Sequence, residues 1–198
     1  MEQAATAPAA EPAAPRSEAR ERLLETASRL FYEEGINSVG VDRLTREAQV
    51  TRATFYRHFP GKDDLVVAYL RTTDAAVRAH VELLRARAGS PRELLLAFAG
   101  DVGDLLCRPG FRGCPFINAA AEFADTADPV RAAIEEHRVW MSAFMLDTLR
   151  DAGHPAPEAG ARQLMMLRDG AMVAGYLADG DDARGTLVEG VERLLPAP

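Results

Sequence analysis

The sequence predicts an all-α protein in two parts, a small helical unit near the start and a larger helical body after it. Three observations carry this. Apolar residues return every three or four positions through most of the chain. No stretch alternates apolar and polar residues as a half-buried strand would, and no internal repeat recurs. Glycines, prolines and capping residues divide the periodic runs into helix-sized lengths.

Residues 1–16 are mostly Ala and Pro with no periodic apolar face, and read as a disordered tail. Ser17 is placed to cap a first helix, with Glu18 and Glu21 favoured in its first turn by the helix dipole. Leu23, Leu24, Ala27, Leu30 and Phe31 form its apolar stripe, and Gly35 ends it. Val41–Ala48 and Arg52–Phe59 are two short helices with only Gln49, Val50 and Thr51 between them. Pro60-Gly61 breaks the chain. A long helix from Asp63 to about Ala88 then carries Val66, Tyr69, Leu70, Thr73, Val77, Val81 and Leu84 on one face. Further helices are expected at about 91–107, 115–124 and 129–152, with Pro91 and Pro129 at first positions and Asp128 as a cap. Two more, 157–178 and 183–195, are divided by Gly180-Asp181-Asp182. The domains implied are residues 17–62 and 63–198.

Composition narrows the function. No run approaches the ~18 to 20 apolar residues of a spanning helix, so no membrane role is expected. The start lacks basic residues and a Leu-rich centre, which argues against an export signal. With only Cys107 and Cys114, a reducing cytoplasm is the expected location. The net charge of −7 speaks against bulk binding to nucleic acid, yet its distribution is uneven. Arg43, Arg46, Arg52, Arg57 and Lys62 stand within residues 43–62 against Glu47 alone, whereas residues 76–198 hold 13 Arg against 18 acids. A cationic patch near the start and an acidic body suggest two jobs.

The patch coincides with the two short helices. Leu44 and Ala48 share a face of the first, Phe55 and Phe59 a face of the second, and Val50 is placed to plug the junction. So short a turn makes the helices cross steeply, which is the geometry of a helix-turn-helix, and with the first helix completes a homeodomain-like three-helix domain. Arg52, Thr54, Arg57 and His58 are then left to project. Such a helix fits the major groove of double-stranded DNA, where Arg pairs with guanine and Thr touches a thymine methyl. Thr51 caps it while its N–H approaches a phosphate. Arg43 and Arg46 read equally as DNA contacts or as a solvated face.

The run Gly35-(x)4-Gly40-Val41-(x)2-Leu44-(x)3-Ala48-(x)-Val50-Thr51-(x)3-Phe55-Tyr56-(x)-His58-Phe59-(x)2-Lys62-(x)2-Leu65 resembles the DNA-binding domain of the TetR (TetR/AcrR) family of bacterial transcriptional repressors. The resemblance covers roughly residues 17 to 70. It implies phosphate contacts for Tyr56 and Lys62, and a backbone contact for His58. Two positions depart from the family pattern. Gly40 stands where a capping Thr or Ser is usual, and Gln49 stands where Gly is common, predicting a less relaxed turn. The resemblance further implies a repressor released from a palindromic, inverted-repeat operator when a small effector enters the body, with the last two helices pairing in a homodimer.

Local residues agree in part. The helix from Ala156 to Ala178 is apolar nearly all round, through Leu164, Met165, Leu167, Ala171, Met172, Tyr176 and Leu177. Gly170, Ala174 and Ala178, and likewise Ala171 and Gly175, form smooth strips that suit either a dimer interface or packing within one subunit. The terminal helix, with Leu187, Val188, Val191, Leu194 and Leu195, would complete a four-helix interface. Candidate effector residues are Cys114, Phe116, Asn118 and Glu122 on one short helix, His137, Trp140, Met141 and Phe144 on the next, and Met172. The polar pair Asn118 and Glu122 is as readily satisfied by neighbouring backbone or an Arg, and the aromatic and Met stripe is first of all core. Arg168 and Asp169, inside an apolar helix, anchor a polar group or pair across the dimer.

Catalysis finds little support. His58, His80, His137 and His154 have no metal-ligand spacing, so no metal or cofactor is expected. No serine sits in a nucleophile elbow. Two alternatives stay open: a redox-responsive repressor using Cys107 and Cys114, and a helical enzyme or scaffold carrying a helix-turn-helix.

Overall fold

The computed structural model describes residues 17–196, so the Ala/Pro-rich tail expected at 1–16 lies outside the described residues. Among the described residues there are nine helices and no strand: α1 (Glu18–Glu34), α2 (Val41–Glu47), α3 (Arg52–His58), α4 (Lys62–Arg87), α5 (Pro91–Leu106), α6 (Pro115–Glu122), α7 (Pro129–Asp151), α8 (Pro157–Leu177) and α9 (Gly180–Leu194). The starts follow local chemistry. Thr51, Ser90, Asp128 and Asp179 each accept a backbone N–H of the first turn on a side-chain oxygen, and Pro91 and Pro129 occupy positions whose N–H has no partner within the helix. Gly35 ends α1 at a φ of 90°.

α1–α3 enclose a small core of Leu23, Leu30, Phe31, Leu44, Phe55 and Phe59, all buried. This core does not stop at residue 62. Leu65 is fully buried, and Phe31 meets Tyr69 edge to face at 5.9 Å, so the first turns of α4 belong to it. Ser17 is the N-cap of α1 but makes no side-chain cap; its hydroxyl meets His58 Nε2 at 3.2 Å instead. Gly40 likewise leaves α2 without a side-chain cap. Gln49 takes a φ of 54°, the one non-glycine residue at positive φ among the described residues, at a cost of about 1 kcal/mol.

In the body, α4 packs on α7, α7 on α8, and α9 lies against both α5 and α8. The Gly180-Asp181-Asp182 segment, expected to divide the last two helices, is the first turn of α9. A Cβ at Gly180 would stand 2.7 Å from the carbonyl oxygen of Leu106, so this glycine serves a close helix approach rather than a break. Gly175 is turned the same way, since a Cβ there would come within 3.0 Å of Leu106.

Candidate nucleic-acid interface and ligand site

α3 buries Phe55 and leaves Arg52, Ala53, Tyr56 and Arg57 exposed along one face. Ala53 is an addition to the face read from the sequence; its spacing to Arg57 marks it, and its methyl suits a thymine methyl. Thr51 Oγ1 accepts the Thr54 N–H at 3.1 Å and also meets the Thr54 hydroxyl at 2.9 Å, so Thr54 is engaged in the cap and half-buried. Tyr56 is 53 % exposed, with its ring edge to face against Phe55. His58 is half-buried on Ser17.

Each cationic candidate has its own setting. Arg52 donates from Nε to Asp42 Oδ1 at 2.6 Å, and that carboxylate steers the guanidinium. Arg43 is held by Glu34 and, through Nε at 2.9 Å, by Glu47; Arg29 Nη2 reaches Glu47 at 2.6 Å. Hydrogen bonds from Arg43 and Arg29 keep the Glu47 carboxyl below its ordinary range. Arg43 therefore braces α1 against α2, and a DNA contact would require it to leave these carboxylates. Lys62 opens α4 half-buried; burial pushes its ammonium pKa down, opposed by Asp63 and Glu122. Arg46 and Arg57 are exposed.

Two of the proposed effector residues tie elements together. Glu122, at the end of α6, accepts the Ile36 N–H at 2.9 Å and the Asn37 N–H at 2.6 Å, both in the loop between α1 and α2. Asn118 Nδ2 donates to the Arg112 carbonyl at 2.7 Å and closes the loop that enters α6. Tyr32, which the sequence reading missed, joins the same seam: its hydroxyl donates to the Gly113 carbonyl at 3.2 Å and accepts the Arg112 N–H at 2.9 Å. Burial pushes the Tyr32 phenol above its ordinary pKa. Glu122 and Asn118 are thus spent on backbone groups, and α6 is fastened to the N-terminal three-helix unit α1–α3, hereafter the reader.

The remaining candidates cluster. Phe116 stacks on the His137 ring at 3.7 Å with the planes 2° apart. Trp140 stacks on Phe144 at 6.1 Å, Phe144 meets Phe98 edge to face, and the Arg78 guanidinium lies over Trp140 at 4.6 Å. Met141 and Met172 are buried beside them in the core. His137 Nδ1 meets Asp74 Oδ1 at 2.7 Å. Burial pulls the imidazole pKa down and Asp74 pulls it back, leaving it below the ordinary value. Arg168 donates to Asp169 at 2.8 Å and to Cys114 Sγ at 3.4 Å, and Arg138 reaches the other Asp169 oxygen at 2.9 Å. Asp169 thus pairs with both Arg168 and Arg138 inside the subunit.

On the opposite side, α8 and α9 enclose an open groove of about 870 Å³. Leu167, Ala174, Ala178 and Leu194 line it, with Ala171 and Leu187 at its floor. Met166 and Leu177 stand out from α8 at 75 % and 73 % exposed. Three other interface candidates point elsewhere: Leu164 and Val191 are buried within the subunit, and Gly175 faces α5. The two small-residue strips of α8 have separate uses, Gly170/Ala174/Ala178 lining the open groove and Ala171/Gly175 lying nearer the interior.

The two cysteines differ in setting. Cys107 is exposed, and its hydrogen bond to Asp181 raises its thiol above the ordinary pKa, opposite to an activated thiol; Cys114 is buried. Among the described residues, no helix is long and apolar enough to cross a membrane.

This arrangement has close counterparts. The family model described as bacterial regulatory proteins, tetR family, matches residues 23–69, and that described as tetracyclin repressor-like, C-terminal domain, matches residues 91–180. The HTH-type transcriptional repressor NemR of Escherichia coli (strain K12) is 30% identical over 134 residues, 67% of this chain and 67% of its own length. The HTH-type transcriptional regulator LmrA of Bacillus subtilis (strain 168) is 27% identical over 139 residues, 69% of this chain and 73% of its own. Among solved structures, SCO4454, a TetR-family transcriptional regulator from Streptomyces coelicolor, superposes with a TM-score of 0.86 at 49% identity, covering 89% of this chain and 94% of that one. The chain belongs to the TetR family and is a DNA-binding transcriptional regulator.

Proposed function

We propose that this regulator is a homodimeric repressor that leaves an inverted-repeat operator when a small molecule binds among the aromatic side chains of the body. The coupling rests on one observation: the Glu122 carboxylate holds the backbone of the loop between α1 and α2, so a shift of α6 pulls on the reader directly. Tyr32 adds a second tie between the same parts. Repression is supported by the name of NemR, a repressor. Pairing through the α8/α9 groove is supported by its apolar lining and by the exposed Met166 and Leu177 beside it. Within each half-site, Tyr56 and Lys62 serve the phosphates, while Arg52, Ala53 and Arg57 face the bases. Arg43, held by two glutamates, acts as a brace. An enzyme reading has no feature in its favour, and the setting of Cys107 gives the redox reading none.

Selection from a randomised duplex library, followed by footprinting, tests this reading. The expected product is an inverted repeat whose half-site centres lie about one helical turn, or a multiple, apart. Binding of a monomer to a single half-site would overturn it. Glu122→Ala should keep DNA binding but lose most of the ligand response.

A further inference from the structure

Among the described residues, two buried side-chain polar atoms have no hydrogen-bond partner: His137 Nε2 and Arg168 Nε. They belong to one cluster at the start of α6. Phe116 stacks on His137, and Arg168 Nη2 reaches Cys114 two positions before it. Buried polar groups are nearly always paired, so two orphans in one cluster need a partner group that the chain itself does not supply.

The chemistry of that group follows from the partners already made. Asp74 can only accept, so the neutral His137 ring carries its proton on Nδ1 and offers a lone pair at Nε2. Arg168 Nε offers an N–H. A complementary group must therefore give a proton to one and accept from the other. Charge selects further. Arg78 pairs with Asp74, while Arg138 and Arg168 share Asp169, which leaves three guanidinium groups against two carboxylates. That surplus disfavours an amine. An ester would accept from Arg168 and leave Nε2 bare.

We infer that the body takes a small aromatic monocarboxylic acid, its carboxyl between Arg168 and His137 and its apolar part against Phe116 and Trp140. One carboxyl oxygen accepts the Arg168 N–H, while the other shares its proton with His137 Nε2. As that proton moves to the imidazole, the charge left on the carboxylate meets the surplus guanidinium. Trp140 is half-buried and lies at the outer side of the cluster, under Arg78, so it is the wall that yields to admit the ring. This inference rests on the proposal that the body is the effector domain.

Trp140 is the only tryptophan in the chain and lies 6.0 Å from the His137 ring, so its fluorescence reports on the site without reference to DNA. The full chain is titrated with benzoate, methyl benzoate, benzyl alcohol and benzylamine, by fluorescence and by calorimetry. Benzoate should bind at least about ten-fold more tightly than any of the others. His137→Phe, and Arg168→Lys, which keeps the charge but lacks Nε–H, should each remove about ten-fold or more of that preference. The wild-type series decides the matter even where a variant loses its fold. Equal binding of the alcohol or ester, no binding by any probe, or full benzoate affinity in a folded variant would overturn the acid class. Affinity for the selected operator separates the two readings. Benzoate that binds as described yet leaves DNA affinity unchanged upholds the acid site and sinks the effector role. Release of DNA by methyl benzoate but not benzoate does the reverse.

Discussion

Arg52 of the reader and Arg168 of the body stand in opposite surroundings. In the reader, Arg52 and Asp42 are 65% and 69% exposed, and Arg43 lies near the surface between Glu34 and Glu47. In the body, Arg168 is buried among Asp169, Cys114 and the α6 entry. An exposed ion pair in water contributes little net free energy, so it orients a side chain yet yields readily to a phosphate or a guanine. A buried pair is different: each charge has lost its hydration, and removing one partner strands the other. Arg52 is thus poised to change partners, whereas Arg168 holds α8 against the entry to α6.

The sharpest way to break this contrast is on α8. Gly175→Arg should destroy the subunit fold, because the side chain is driven into Leu106, whereas Ala174→Arg, on the open groove, should leave a folded monomer. Thermal unfolding and sedimentation distinguish the two, and a folded dimer in both would remove α8 from the interface. Next, Asp169→Ala strands the buried Arg168, while Arg138 at 39% exposed stays hydrated, and should cost about 3 kcal/mol in urea unfolding. The matching reader change, Asp42→Ala, should move stability by no more than about 0.5 kcal/mol while broadening base preference opposite Arg52. Equal costs at the two sites would erase the contrast.

Lys62→Ala should weaken binding to all duplexes alike and flatten the salt dependence by about one unit for each phosphate left unneutralised. A changed base preference would move Lys62 from backbone to bases. The His137 pKa lies below its ordinary value of about 6.5 because burial disfavours the imidazolium, with Asp74 opposing and Arg168 and Arg78 adding to the effect. Below that pH the unfolded chain takes up the proton more readily, so stability present above about 6.5 is lost as pH falls towards the folded value. His137→Phe should remove this part of the pH profile. The smallest change is Gln49→Gly, which relieves the positive φ and should stabilise by up to about 1 kcal/mol.

The reader was almost wholly legible. Leu44, Ala48, Phe55 and Phe59 announce their burial by spacing, and Thr51 announces its cap by its place before α3. Gln49 marked a strained turn because only its neighbours, not the distant fold, set its φ. The body was legible in its helices but not in its contacts. Asn118 and Glu122 left two readings open, pocket lining or satisfaction by backbone; the structure has the second, on Arg112, Ile36 and Asn37, and no local pattern connects Glu122 to residues 85 and 86 positions away. Asp42, Asp74 and Tyr32 went unnoticed for the same reason, since each acts on a residue from another helix or loop.

By itself the sequence determined the helical class, the caps at Thr51 and Asp128, and the face of α3 that buries Phe55. These depend on hydrogen bonds and apolar spacing within a few residues, where chain connectivity leaves little choice. Tertiary structure alone decided which strip of α8 turns inward, why Gly180 begins a helix instead of ending one, and where the carboxylate of Glu122 goes. Those outcomes depend on which helices meet and how closely. A small residue or a carboxylate carries no mark of its partner until packing has brought a backbone amide or a neighbouring side chain within hydrogen-bond or van der Waals reach.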